Sequence, residues 1–110
     1  SAATNTGSRS AATNTGDWSA ATNTGSQSAA TNTGNWSAAT VEGSESVAIV
    51  TGYQGKARGK KGCWLVLTER NDNMEIVDIQ TVVVDGETIK EDTYYRLERK
   101  MIIAIENEGV

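Results

Sequence analysis

Six consecutive nonapeptides fill residues 1–54, beginning at Ser1, Ser10, Ser19, Ser28, Ser37 and Ser46, and four of them share the core Ser-Ala-Ala-Thr-Asn-Thr-Gly. A unit this short cannot bury a core alone and must stack on its neighbours, so the repeat prescribes a solenoid. The two closing positions of each unit read Ser8-Arg9, Asp17-Trp18, Ser26-Gln27, Asn35-Trp36, Ser44-Glu45 and Tyr53-Gln54. Tryptophan therefore returns every eighteen residues while the core returns every nine, and the expected coil is two nonapeptides. Each coil then holds two short strands on opposite faces, joined by Asn-Thr-Gly turns in which glycine is expected to supply a positive φ.

The sixth unit, Ser46-Val47-Ala48-Ile49-Val50, has the largest apolar residues, and alternation along it predicts Val47 and Ile49 inside the roll. By register the interior rows become Ala2, Ala11, Ala20, Ala29 and Ala38, with Thr4, Thr13, Thr22, Thr31 and Thr40 beside them. An alanine interior recovers little: burying a methyl is worth about 1 kcal/mol or less, against ~1–2 kcal/mol per residue of backbone ordering. Ladder hydrogen bonds and an end cap are then needed for stability.

Composition changes after the repeats. The first half is nearly charge-free, whereas most of the charge lies from Glu42 onward, and this marks a boundary near Gln54. Beyond a basic, glycine-interrupted linker at 55–63, the segments Trp64 to Thr68, Glu75 to Val84 and Thr93 to Glu106 are rich in β-branched and aromatic residues and read as strands. Asn71-Asp72-Asn73 and Asp85-Gly86 read as hairpin links, and Arg99-Lys100 divides the last stretch into Tyr94 to Glu98 and Met101 to Glu106. The expected fold class is all-β: a parallel β-roll, or β-solenoid, of two nonapeptides per coil over 1–54, the linker, and an antiparallel β cap over 64–110. The cap is expected to be a four- or five-stranded meander that covers the open end of the roll.

The tandem Ser-Ala-Ala-Thr-Asn-Thr-Gly units, with Ser46 to Val50, Gly62-Cys63-Trp64-Leu65-Val66-Leu67, Val84-Asp85-Gly86-Glu87-Thr88-Ile89-Lys90 and Asp92-Thr93-Tyr94-Tyr95, resemble a nonapeptide-repeat family of phages, prophages and gut bacteria. The resemblance spans nearly the whole chain. It implies a β-roll and a phage or bacterial origin, and the family has no assigned activity. Ser46 to Val50 is also similar, more distantly, to the Ser-Val-Ala-Ile-Gly strands in the heads of trimeric autotransporter adhesins.

Candidate chemistry is sparse. There is no histidine, and the single cysteine, Cys63, lies in an apolar run and is expected to be buried. The acids Asp72, Asp78, Asp85 and Asp92 are not spaced as a catalytic pair, so no enzymatic activity and no cofactor are expected. Calcium-binding β-rolls place Asp and several Gly in each turn; Asn-Thr-Gly does not, so no metal is expected. The Asn5, Asn14, Asn23 and Asn32 column instead suggests hydrogen-bond ladders at the corner. A net charge of −4 argues against nucleic-acid binding, and no segment reads as a signal peptide or a membrane span.

Three surface features remain. Trp18 and Trp36 are expected to stack at one corner about 5 Å apart, with Tyr53 nearby, either as a contact for a sugar or partner chain or as a staple between coils. Lys56, Arg58, Lys60 and Lys61 form either an anion-binding loop or solvated partners for the acidic cap. Thr-Asn-Thr resembles the Thr-x-Thr rows of ice-binding β-solenoids, but with Thr4 inside no flat double row is expected. The expected function is a spacer or display module that self-associates or binds a protein; the alternative is a ligand surface for carbohydrate on the tryptophans or ice on the threonines.

Overall fold

The computed structural model describes residues 2–105, with the side chain of Ala2 outside that description. Every regular element among these residues is a strand: β1 (Ala2–Asn5), β2 (Ala11–Asn14), β3 (Ala20–Asn23), β4 (Ala29–Asn32), β5 (Ala38–Val41), β6 (Val47–Val50), β7 (Lys56–Arg58), β8 (Trp64–Arg70), β9 (Ile76–Val83), β10 (Tyr94–Glu98) and β11 (Met101–Ile105). Ala2 pairs with Ala20, Ala11 with Ala29 and Ala20 with Ala38, all in parallel, so the coil is eighteen residues as the tryptophan period requires. Odd strands form one sheet of the roll, β1-β3-β5-β7, and even strands the other, β2-β4-β6-β8. The protein is a β-solenoid of four coils.

The faces are the reverse of the expected ones. Ala12, Ala21, Ala30, Ala39, Ala48 and Ala57 are buried, with Asn14, Asn23, Asn32, Val41 and Val50 two positions on. Ala11, Ala20, Ala29 and Ala38 face outward instead, as do Thr4, Thr13, Thr22, Thr31, Val47 and Ile49. Thr40 is also on the outer side, and is covered there by Tyr94, whose hydroxyl lies 3.2 Å from Thr40 Oγ1.

The asparagine explains the inversion. Asn23 Oδ1 accepts from Gly25 N–H at 3.2 Å, and its Nδ2 donates to Ala29 O at 3.2 Å and Ser10 O at 3.2 Å. Asn32 repeats the arrangement with Gly34, Ala38 and Ser19. An inward asparagine thus satisfies turn groups that would otherwise be buried without partners, which costs about 1–3 kcal/mol each. Serine does the same at the other end of each strand: Ser46 Oγ accepts from Ser28 N–H at 3.0 Å and lies within donating distance of Gly25 O at 3.2 Å.

Glycine has a different role from the one expected. Positive φ falls on the ninth residue of each unit, Arg9, Trp18, Gln27, Trp36, Glu45 and Gln54, at 53–59°. The repeat glycines are needed for close approach: a Cβ on Gly34 would lie 2.0 Å from Gly16 O, and one on Gly25 2.0 Å from Gly7 O.

The stretch read as a linker at 55–63 contains β7, which pairs with β5 in parallel and buries Ala57 in the alanine row. The four C-terminal strands lie where expected, Glu106 and the last residues being outside the described ones, but they do not form one meander. β8 continues the even sheet and carries β9 antiparallel, whereas β10 adds to β7 on the odd sheet and carries β11. Asp85-Gly86 therefore begins a crossing between sheets, not a hairpin. Leu65, Leu67, Val84, Ile89, Tyr95 and Leu97 close the end of the roll. Ile76, Ile79 and Trp64 lie outside that core and are about half exposed.

Candidate functional site

The corner that follows each even strand carries the aromatic column. Trp18 and Trp36 stack with ring centroids 5.1 Å apart and planes within 8°, and Tyr53 meets Trp36 edge-on at 5.5 Å. Trp18 is 72% exposed and Trp36 41%. Tyr53 is half-buried, and its hydroxyl donates to Asp72 at 3.2 Å.

The backbone beneath is held independently of the indoles. Left-handed φ costs a non-glycine residue about 1–2 kcal/mol. The corners at Trp18 and Trp36 are secured by inter-coil hydrogen bonds: Trp18 N–H to Asn35 O at 2.9 Å and Trp36 N–H to Tyr53 O at 2.7 Å. On the opposite corner Arg9 and Gln27 bond in the same way, to Ser26 O and Ser44 O. There the side chains are Arg9, Gln27 and Glu45, with Arg9 Nε donating to Gln27 Oε1 at 3.2 Å. The corner geometry does not require an aromatic residue.

The basic residues are brought together only in part. Lys56 and Arg58 lie on the outer face of the odd sheet with their charges 4.5 and 4.8 Å from the Tyr94 ring centroid, a paired cation–π contact. The antiparallel register places Arg96 on the same face, bonded to Glu98 at 3.0 Å. Lys60 instead pairs with Asp92 at 2.8 Å, and that hydrogen bond, with the Asp92 charge, holds its ammonium above the ordinary 10.5. The Lys61 N–H is bound by Glu91. The four cations do not converge on one point.

The double threonine row, not expected with Thr4 inside, is present because Thr4 faces outward. Thr4 and Thr6 are both exposed, as are Thr13 and Thr15, and the inter-coil ladder continues past the strand ends through Thr24 N–H to Asn5 O and Thr33 N–H to Asn14 O. Each face of the first two coils thus presents Thr-x-Thr pairs about 6.7 Å apart along the strand and about 4.8 Å apart between coils. Outward alternation of Thr around an inward Asn was the signal that could have revealed it.

Among the described residues, no three Cys, Asp or Glu side chains gather as a metal site requires. Cys63 is fully buried and donates to Gly43 O at 3.0 Å. No protein-family model, curated protein or solved structure gives a match to this chain.

Proposed function

We propose that this protein is a non-enzymatic structural module whose rigid roll displays the Trp18–Trp36–Tyr53 corner to a ligand. The supporting observation is that Trp18 is 72% exposed at a left-handed position whose conformation is also taken up by Arg9, Gln27 and Glu45 on the opposite corner and by Gln54 on its own. Large rigid rings supply contact area at low entropic cost, and an open indole face suits the apolar face of a pyranose ring. The test is a tryptophan-fluorescence titration with a panel of oligosaccharides. Saturable quenching that is lost in a folded Trp18→Gln variant is expected; no response to any glycan, with unfolding of the Trp18→Gln/Trp36→Gln variant, would reduce the column to a staple.

The outward threonines favour a second reading, in which the flat Thr-x-Thr faces order water and bind ice. Inhibition of ice recrystallisation that is abolished by Thr13→Lys would support it. Normal crystal growth in the presence of the protein would reject it.

A further inference from the structure

We propose that two copies of this chain pair edge to edge through β9, with a two-fold axis at Thr81. β9 ends the even sheet and has a strand only on its β8 side. Val84 directs its N–H to Cys63 O and its C=O to Gly62 N–H, both at 2.8 Å on that side. Alternation along an antiparallel ladder then turns the N–H and C=O of Val83, Thr81 and Ile79 toward the open edge. Ile79 is 53% exposed, Val83 37%, and Thr81 is exposed as well.

Such an edge invites another strand unless it is blocked by lysine, proline or an outward charge. From Ile76 to Val83 there is no lysine, arginine or proline, and the one charge, Asp78, is engaged by Gln80 Nε2 at 2.9 Å. A two-fold interface must be self-complementary, so the edge itself selects the register. A bulge at Glu69/Arg70 disturbs β9 near Ile76 and leaves Asp78 to Val83 regular. Centring the axis on Ile79 would put the disturbed part inside the new ladder. Centring it on Gln80 would set Val83 against Val77 in that same disturbed part.

The axis at Thr81 uses the regular edge in full. Thr81 then faces its own copy, a favourable hydroxyl pair, and Ile79 faces Val83 of the other chain twice. These three pairs exchange six backbone hydrogen bonds, and the two even sheets become one continuous sheet of ten strands. The paired stretch from Ile79 to Val83 carries no charge, and the two Asp78 carboxylates lie several residues apart. The pairing is independent of the aromatic corner and leaves the proposed ligand surface free.

Sedimentation velocity of the full chain across a broad concentration range tests the proposal, with far-UV circular dichroism as the control for folding. The wild type is expected to pass from monomer to dimer. Thr81→Lys, a solvent-facing change, should raise the dissociation constant about tenfold or more by opposing two ammonium groups at the axis, and Thr81→Glu should do the same. Because residue 81 faces itself, an equimolar mixture of the two folded variants should recover the dimer. A wild type that stays monomeric throughout, a dimer indifferent to Thr81→Lys, or a mixture that fails to reassociate would each overturn the proposal.

Discussion

Cys63 stands over Ser46 in the serine column and takes over its hydrogen bond. Ser46 Oγ lies 3.2 Å from Gly25 O, and Cys63 Sγ lies 3.0 Å from Gly43 O, one coil further on. Both side chains are fully buried. The thiol is thus a serine equivalent at the seam between repeats and cap, where Leu65 has replaced alanine in the inner row.

Cys63→Ser is therefore expected to change stability by no more than about 1 kcal/mol, since the hydroxyl can make the same bond. Cys63→Leu should cost about 1–3 kcal/mol, because a Cβ on Gly59 would already lie 3.1 Å from Cys63 Cβ and the site has no spare volume. Urea denaturation of the two variants checks the contrast.

Gly34→Ala should be among the most damaging single changes in the repeats. Its methyl would sit 2.0 Å from Gly16 O and 2.5 Å from Gly16 C, so the coils must separate and strain or break their ladder. A loss of at least ~3 kcal/mol is expected, beyond ordinary overpacking, because backbone has to move. Thermal unfolding monitored by circular dichroism is the measurement; a small shift would show that the coils can slide apart cheaply.

Exchanging Trp18 and Trp36 for glutamine should leave the roll intact. Gln27 already holds the equivalent left-handed position on the opposite corner at φ 56°, so the variant loses only the aromatic contacts, on the order of 1 kcal/mol. The expected result is an unchanged β spectrum, a small fall in Tm and the loss of any exciton signal between the two indoles.

Acid should destabilise the cap partly through Asp85. Its carboxylate accepts N–H bonds from Glu87 at 2.8 Å and Ile89 at 3.0 Å, and these hold it below the ordinary 3.8. A lowered folded pKa contributes stability that is present above the unfolded value and disappears as pH falls through the folded one. Asp85→Asn keeps an acceptor oxygen but cannot titrate. Its Tm should therefore fall less steeply than that of the wild type below about pH 4.

The eighteen-residue coil, the Trp18–Trp36 stack and the positions of the late strands were legible in the sequence because each depends on period or local composition. The facing of the strands was not. Val47 and Ile49 are large and apolar, which argues for burial, yet the interior is thin and its dimension is set by Ala48 and its column mates. Asparagine looks like a surface residue until its three bonds to turn and strand groups are counted. The partners of the cap strands were hidden for another reason: sequential strands usually pair, but here the roll offers two separate edges, and the chain extends each in turn.

The coil of two units has a consequence of parity. Inserting one nonapeptide between the Trp18 and Trp36 units would separate the two tryptophans by three half-coils, so the aromatic column would be cut and its continuation would emerge on the opposite corner. The cap would keep its partners, because β7 and β8 stack on β5 and β6 of the coil just before them. Adding or removing two units changes only the length of the rod. A step of two units therefore keeps every side chain in its column, whereas an odd step between the tryptophan units makes the two corners trade places while every local sequence stays the same.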